Sequence, residues 1–239
     1  LFGCEESPQP SIEKPRELII LTRVGLTTYS VDATNGPGGF DLDLVQLFAE
    51  ELGIKSRLVV AASDADIIHQ LKTGKGHLAA AWQTPVDDAE LRSSTPYFIS
   101  HNNLITHEAS LPLTGTAQLA NRTVHVVAGS RQEKALHAIK ATVPGLIIES
   151  KPKRSEIELM EAIASQRIEA ALLSSAEFDI GNNFYPELQN ALEIGPAQPV
   201  VWLFAPNTDP ELIAKANDFL LRIEQNGTMD RLKDRYFGH

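Results

Sequence analysis

A strand–helix–strand–helix–strand order occurs twice in this chain of 239 residues, and the repeat restricts the possible folds more than any other feature. The first copy covers residues 18–82 and the second covers residues 122–173. In both copies, short runs of Leu, Ile, Val and Ala alternate with segments whose apolar residues recur every three or four positions. Such alternation is typical of buried parallel strands connected by amphipathic helices. We therefore predict an α/β fold with two lobes, a ligand cleft between them and two crossings of the chain.

The repeat also predicts how the chain is divided. We expect an N-terminal tail, a first lobe made from two separate stretches and a second lobe inserted between them, with the bounds 1–15 for the tail, 16–107 plus 199–239 for lobe 1, and 108–198 for lobe 2. Hinge segments are predicted at 107–113 and 195–199, where the two crossings would lie.

Residues 36–53, GPGGFDLDLVQLFAEELG, form the clearest helical unit of the first copy. The glycines and proline at its start predict a turn, and Asp41 is the expected N-cap of the helix that follows. Gly53 is expected to end this helix in the left-handed conformation. The glycine spacing matches neither a phosphate-binding loop nor a dinucleotide fingerprint, so the segment is interpreted as a scaffold. In the second copy, Ser155 is the expected N-cap of a helix.

The N-terminal tail contains the only cysteine, Cys4. A single cysteine excludes an internal disulfide and a cysteine-based metal cluster. The sequence LFGC resembles the end of a bacterial lipobox, which predicts that Cys4 carries a lipid; an incidental buried or free cysteine is the alternative. Residues 5–15 contain three prolines and little apolar material, as expected of a tether. The chain has no run of eighteen apolar residues, so the predicted link to a membrane is the lipid anchor.

The net charge and the missing motifs exclude several classes of function. The net charge of −10 argues against nucleic acid as a partner. The seven histidines form no zinc-binding pair on a helix, and no nucleophile elbow is present. We therefore predict no catalytic residue, no metal and no cofactor in this chain.

Candidate ligand contacts follow the predicted strands of the first copy. Trp82, Gln83 and Thr84 come at the carboxyl end of a strand, where open α/β sheets bind ligands. Tyr29 precedes the glycine-rich turn and, like Trp82, could offer an aromatic face to a ligand. Packing in the core is the alternative for both aromatic residues.

In the second copy, Gly129 and Ser130 stand where a strand leads into a helix. Free N–H groups and a hydroxyl at this position suit a carboxylate or another anion, although a simple N-cap explains the same residues. Arg131 and Arg92 are candidate counter-charges, with exposed surface cations as the alternative.

Several motifs resemble one family. They are GFDLDL at 39–44, FAEELG at 48–53, LKTG at 71–74, STPY at 94–97, and Gly129-Ser130 followed by EKAL at 133–136. Together they resemble the family 3 periplasmic solute-binding proteins, and the match runs from about Glu17 to the end of the chain. The resemblance implies the type II periplasmic-binding-protein fold. Residues 227–239 are similar to the end of the sensor-like domain in the membrane-bound lytic transglycosylase F family, where a peptidoglycan-cleaving domain follows.

The chain departs from this family at two charged positions. Amino-acid binders of the family usually have an arginine soon after the third strand, where this chain has Thr84 and a proline. Their acidic residue in the second lobe corresponds to Ser174 and Ser175 here, with Glu177 one turn later. Each missing contact would contribute about 1.5–3 kcal/mol. The departures therefore favour a peptide-like or cell-wall-derived ligand over a free amino acid.

Three functions are compatible with these observations. The first is a non-catalytic regulatory module that binds a murein-derived peptide or amino-acid-like ligand and signals to a lytic domain. The second is a free-standing, lipid-anchored solute receptor that delivers its ligand to an ABC permease. The third is an enzyme acting in the cleft, which no nucleophile and base pair supports. The resemblance implies the periplasm of a Gram-negative bacterium, with the outer membrane preferred for the anchor.

Overall fold

The computed structural model describes residues 17–32 and 36–238. The tail, with Cys4, and the last residue therefore lie outside the described residues. The strands are β1 (Glu17–Thr22), β2 (Ser30–Asp32), β3 (Gly36–Gly38), β4 (Lys55–Val60), β5 (Leu78–Gln83), β6 (Arg92–Ser93), β7 (Phe98–Ser100), β8 (Asn102–His107), β9 (Thr123–Val127), β10 (Ile147–Lys151), β11 (Ala170–Ser174), β12 (Leu188–Glu193) and β13 (Gln198–Phe204). The α-helices are α1 (Phe40–Leu52), α2 (Asp64–Lys72), α3 (Arg131–Lys140), α4 (Glu156–Ala164), α5 (Ser175–Asn182), α6 (Pro210–Gln225) and α7 (Thr228–Phe237).

Lobe 1 is organised around a mixed sheet with the strand order β4-β1-β5-β13-β6, and β7 also pairs with β13. β1 runs parallel to β4 and β5, whereas β13 is antiparallel to β5. One face of the sheet packs against α1, α6 and α7, with Phe48, Trp202 and Phe219 at the centre of the core. The other face is covered by α2 through Ile67 and Leu71. Both faces are buried, as expected for strands so rich in apolar residues.

Lobe 2 repeats this design with the strand order β10-β9-β11-β8-β12. β9, β10 and β11 are parallel, and β8 pairs antiparallel with β11 and β12. Leu136 of α3 packs on one face of the sheet, and Leu159 and Met160 of α4 pack on the other. The predicted two-lobe α/β fold is confirmed.

The crossings differ in part from the expected positions. β8 belongs to the sheet of lobe 2, although the predicted division placed residues 16–107 in lobe 1. The first crossing is therefore at His101, between β7 and β8, and not in the predicted hinge at 107–113. Its backbone N–H donates to Ser175 Oγ at 3.2 Å, and its carbonyl accepts from the Ser175 N–H at 2.9 Å. The second crossing lies between β12 and β13.

The start of α1 also corrects a prediction. The N-cap of α1 is Gly39, which makes no side-chain cap, and Asp41 lies inside the first turn with its side chain buried. Gly39 has a φ of 144°, and a Cβ at this position would lie 2.2 Å from the Thr28 carbonyl oxygen. Only glycine fits this close approach. At the other end of α1, Gly53 has a φ of 67°, which confirms the predicted left-handed end.

None of the helices in the described part of the chain is long and apolar enough to cross a bilayer.

Candidate ligand-binding cleft

The two lobes touch through the segment that follows β1. Leu26 packs against the apolar cluster of lobe 2 that contains Leu159 and Ile163. Beside it, Glu156 Oε1 of α4 lies 4.0 Å from the position that a Cβ of Gly25 would occupy. The residues that follow β1 therefore face the beginning of α4 across the cleft.

The lobe 1 wall of the cleft is built on a buried carboxylate. Asp41 Oδ2 accepts a hydrogen bond from the Trp82 backbone N–H at 2.5 Å, and Asp41 Oδ1 accepts one from the Tyr97 hydroxyl at 2.6 Å. Trp82 itself is only 1% exposed and packs against Phe98, with ring centroids 4.9 Å apart. Its indole N–H is buried and has no hydrogen-bond partner among the described residues. Ligand contact and core packing were the two roles compatible with Trp82 in the sequence. In the structure its ring packs in the core, and its indole N–H donates no hydrogen bond to the described residues.

Burial controls the electrostatics of this wall. It raises the pKa of Asp41 to about 6 because the charged form loses its hydration. The hydrogen bonds from Tyr97 and Trp82, and the positive charges of Arg131 and Arg23, oppose this rise. The pKa of Tyr97 is raised well above 10 by burial and by the neighbouring Asp41 carboxylate. Tyr97 therefore keeps its proton and acts as a donor.

A second group of lobe 1 carries the charges nearer to lobe 2. Arg23 Nε follows β1 and lies 3.1 Å from Asp64 Oδ1 at the start of α2. Gln83 Nε2 donates to the same Asp64 oxygen at 3.0 Å, so the predicted contact residue Gln83 supports an ion pair. Thr84 follows it and is half-buried.

The lobe 2 wall consists of helix N-termini. Ser130 caps α3, since its Oγ accepts from the Glu133 N–H at 3.2 Å, while Glu133 Oε2 accepts from the Gly129 N–H at 2.7 Å. The simple N-cap left open by the sequence is therefore present. Because the Gly129 and Glu133 amides are bonded within the chain, this N-terminus offers fewer free donors to an anion than its position suggested.

Arg131, the first residue of α3, is the most unusual charge in the cleft. Its Nη1 is buried and has no hydrogen-bond partner among the described residues. Burial lowers the pKa of its guanidinium, and the negative charges of Asp64 in lobe 1 and Glu177 in lobe 2 oppose this effect. The positive charge of Arg131 also acts to lower the pKa values of Asp41 and Tyr97. The guanidinium of Arg131 thus interacts electrostatically with charged groups of both lobes.

Two buried acids of lobe 2 lie in the first turns of α4 and α5. Glu156 and Glu177 are 8% and 5% exposed. The pKa of Glu156 is raised to about 7 by burial and by the charge of Glu177, against the opposing charge of Arg23. Glu177 Oε2 accepts from the Ser174 N–H at 2.8 Å, and Ser174 Oγ accepts from the Glu177 N–H at 3.2 Å. Ser174 and Glu177 thus form a capping box at α5.

The remaining predicted residues lie at different distances from this group. Tyr29 ends the loop after β1, where its carbonyl accepts from the Gly25 N–H at 3.0 Å. Ser175 holds the crossing at His101, as described above. Arg92 lies on the edge strand β6, and its guanidinium donates to the Thr208 carbonyl. The structure does not bring Arg92 to the residues around Arg131.

Sequence reasoning missed five residues of this cleft: Arg23, Asp41, Asp64, Tyr97 and Glu156. Arg23 and Asp64 follow the strands β1 and β4, so the rule that selected Trp82 could have selected them. Asp41, Tyr97 and Glu156 had no such signal, because their burial depends on contacts between distant segments.

Comparison with known proteins agrees with this architecture. Residues 18–239 match the family model described as "Bacterial extracellular solute-binding proteins, family 3". The membrane-bound lytic murein transglycosylase F of Ectopseudomonas mendocina (strain ymp) is 31% identical over 250 residues, which is 100% of this chain and 50% of the relative. That of Marinobacter nauticus (strain ATCC 700491 / DSM 11845 / VT8) is 31% identical over 243 residues, covering 99% of this chain and 47% of the relative. The chain thus spans about half the length of the curated relatives it matches.

Solved structures share the fold at lower identity. A mutant of ArgBP from T. maritima superposes with a TM-score of 0.77 at 19% identity and covers 94% of this chain and 96% of that one. The amino acid ABC transporter substrate-binding protein AbpA from Streptococcus pneumoniae, bound to L-arginine, has a TM-score of 0.76 at 20% identity and covers 93% and 95%. The chain belongs to the bacterial extracellular solute-binding proteins of family 3.

Proposed function

We propose that this chain is a non-catalytic binding module that recognises a small polar ligand between its lobes and forms the regulatory part of a lytic transglycosylase. The observation that carries the proposal is Arg131, a buried guanidinium with an unused donor between two walls that contain acids. A buried donor without a partner is costly, and a ligand acceptor would remove that cost. The similarity to transglycosylase F relatives, which covers all of this chain and about half of each relative, supports the regulatory context.

The charges support a ligand with both an acidic and a basic group. Arg131 Nη1 would bind a carboxylate, and the buried pair Glu156 and Glu177 would bind an ammonium group. These residues supply charge from positions other than the two where the family pattern is missing. The sequence disfavoured a free amino acid because no arginine follows Thr84. Since Arg131 supplies a guanidinium from another position, that argument is weaker in the structure. A murein-derived peptide and a free amino acid both fit this description, and the peptide remains the preferred ligand.

Ligand binding would act through the lobes. A ligand that bridges Arg131 and the lobe 1 wall favours the closed arrangement, because it binds the closed state more tightly than the open one. In the parent protein, this closure would be passed to a lytic domain outside this chain. We place the module in the periplasm, held at a membrane, preferably the outer one, by a lipid on Cys4.

A thermal-shift screen followed by calorimetry tests the proposal. Amino acids, stem peptides and muropeptides are compared with Arg131→Gln and the control Arg122→Gln, which removes an exposed lobe 2 guanidinium that pairs with Glu169. Loss of one charge-assisted hydrogen bond of about 1.5–3 kcal/mol should weaken binding by about 10- to 150-fold in Arg131→Gln. The control should bind like the wild type. Absence of binding in every class, or equal affinity in Arg131→Gln, would contradict the proposal.

The alternative is a free-standing solute receptor of an ABC importer. It is favoured by the similarity in fold to AbpA, an amino acid transporter component. The two functions predict different ligand profiles, with free amino acids bound most tightly by a receptor and muropeptides by a regulatory module. The reading frame after residue 239 separates them independently, since only the regulatory module requires a fused lytic domain.

A further inference from the structure

Asp41 connects three parts of lobe 1 through one buried carboxylate. The residue lies in α1, is 0% exposed, and accepts one hydrogen bond on each of its two oxygens. One bond comes from Trp82 at the end of β5, and the other comes from Tyr97 just before β7. The carboxylate therefore connects α1 to the end of β5 and to the segment that precedes β7.

The end of β5 needs such support. Trp82 has a φ of 53°, in the left-handed region that a bulky aromatic residue rarely adopts. Conformations of this kind persist only where the surroundings hold them. The bond from the Trp82 N–H to Asp41 is a direct means of holding it. The next residue, Gln83, then reaches Asp64, which pairs with Arg23.

We propose that Asp41 is a positioning residue of the cleft: its carboxylate keeps Trp82 in the strained left-handed conformation, and that conformation directs Gln83 to the Asp64–Arg23 pair. This inference rests on the function proposed above, because it assigns a role within the same cleft. Asp41 acts through Trp82 and Gln83 and needs no contact with the ligand.

The charges around Asp41 make its role dependent on pH. Tyr97 donates to it from the same lobe, Arg23 adds positive charge from the segment after β1, and Arg131 adds positive charge from α3. With its pKa raised to about 6, Asp41 is an acceptor on both oxygens at neutral pH. Below this pH one oxygen becomes a hydroxyl and competes with the Tyr97 hydroxyl as a donor. The end of β5 should therefore rearrange between about pH 7 and pH 5.

NMR of the ¹⁵N-labelled chain tests this without a ligand. In the wild type, the chemical shift of the Trp82 backbone N–H should change with pH, with a midpoint near pH 6. This pH dependence should be lost in Asp41→Asn. The Trp82 indole and Arg23 Nε signals should differ from the wild type in Asp41→Asn at pH 7.5. An unchanged titration in Asp41→Asn, or unchanged Arg23 and Trp82 signals, would overturn the proposal.

The chain offers a matched control on the same helix. Asp43 Oδ2 accepts from the Tyr236 hydroxyl at 2.6 Å, the same kind of bond that Asp41 makes, but its side chain is 25% exposed and pairs with Arg235 outside the cleft. Asp43→Asn should leave the Trp82 titration and the Arg23 signal unchanged. If Asp41→Asn fails to fold, Tyr97→Phe replaces it: loss of a hydrogen bond that lowers the pKa of Asp41 should move the Trp82 midpoint to higher pH, and an unmoved midpoint would overturn the proposal.

Calorimetry with two probes, L-arginine and the tripeptide L-Ala–D-Glu–meso-diaminopimelate, then connects positioning to binding. Asp41→Asn should weaken binding of the bound probe by about tenfold, and Asp43→Asn by less than twofold. If the wild type binds neither probe while the NMR titration is present, the function proposed above loses support and the positioning of β5 by Asp41 stands. If the wild type binds and Asp41→Asn retains full affinity, the positioning role fails and the proposed function stands.

Discussion

The two walls of the cleft are built by different means. On lobe 2, the N-termini of three helices are capped within one helical turn by Ser–Glu pairs three residues apart: Ser130 with Glu133, Ser155 with Glu158, and Ser174 with Glu177. On lobe 1, Asp41 finds its partners 41 and 56 residues away. The lobe 2 wall is therefore defined by local sequence, whereas the lobe 1 wall exists only when the whole lobe has folded. The difference predicts that equivalent polar substitutions affect the two walls unequally.

The largest expected effect tests whether the lobe 1 wall is truly part of the core. Trp82→Ala should lower the free energy of unfolding by about 3–5 kcal/mol, because a fully buried aromatic side chain is removed. Urea denaturation followed by circular dichroism measures the change. Phe184→Ala is the control, since Phe184 is 75% exposed and should change stability by less than about 0.5 kcal/mol. A loss below about 1 kcal/mol for Trp82→Ala would mean that this wall is looser than its burial indicates.

A smaller effect separates buried from capping acids within the lobe 2 wall. The pKa of Glu156 is raised from 4.5 to about 7, so its contribution to stability is full below pH 4.5 and is lost as the pH rises through 7. Glu156→Gln should therefore stabilise the protein at pH 8, on the order of 2 kcal/mol, and have little effect at pH 5.

Glu158, two residues along the same helix, provides the opposite case. Its pKa is lowered by hydrogen bonds from the Ser155 backbone and side chain, so its contribution is present above pH 4.5 and is lost as the pH falls through its folded value. Glu158→Gln should therefore destabilise the protein at pH 8. Urea midpoints at the two pH values measure both variants. Equal responses of Glu156→Gln and Glu158→Gln would show that burial does not distinguish these carboxylates.

The smallest expected effect concerns a single cap. Ser174→Ala removes the capping box of α5 and should cost about 1 kcal/mol of unfolding free energy, since the Glu177 N–H loses its acceptor. Ser165→Ala is the control, because Ser165 ends α4 and its hydroxyl donates to the exposed Glu161 carbonyl at 2.7 Å. Urea denaturation measures both. A cost well above 2 kcal/mol for Ser174→Ala would mean that the lobe 2 wall also depends on long-range contacts, and the contrast between the walls would weaken.

Much of the fold could be predicted because its signals are local. The repeat of strands and helices and the motifs at 39–53 identified the two-lobe fold and the family, and both are confirmed. Gly53 and Ser155 were assigned correctly as helix ends, since a left-handed glycine and a Ser–Glu box act within one turn. The division of the lobes was less accurate at β8, because strand pairing is decided by neighbours far away in the chain.

The architecture, the family and the cap at Ser155 could be predicted from the sequence, because these follow from periodicity and from contacts three or four residues apart. The cap at Ser174 was not predicted. The charges that meet in the cleft could not be predicted in this way, because they come from segments far apart in the chain. Asp41, the expected N-cap, is a buried acceptor for Trp82 and Tyr97 in the structure. Arg92 lies at a sheet edge, and Arg131 interacts with acids of both lobes. The physical reason is desolvation: the energy of a charge depends on what surrounds it in space, and the residues that surround these charges come from distant parts of the chain.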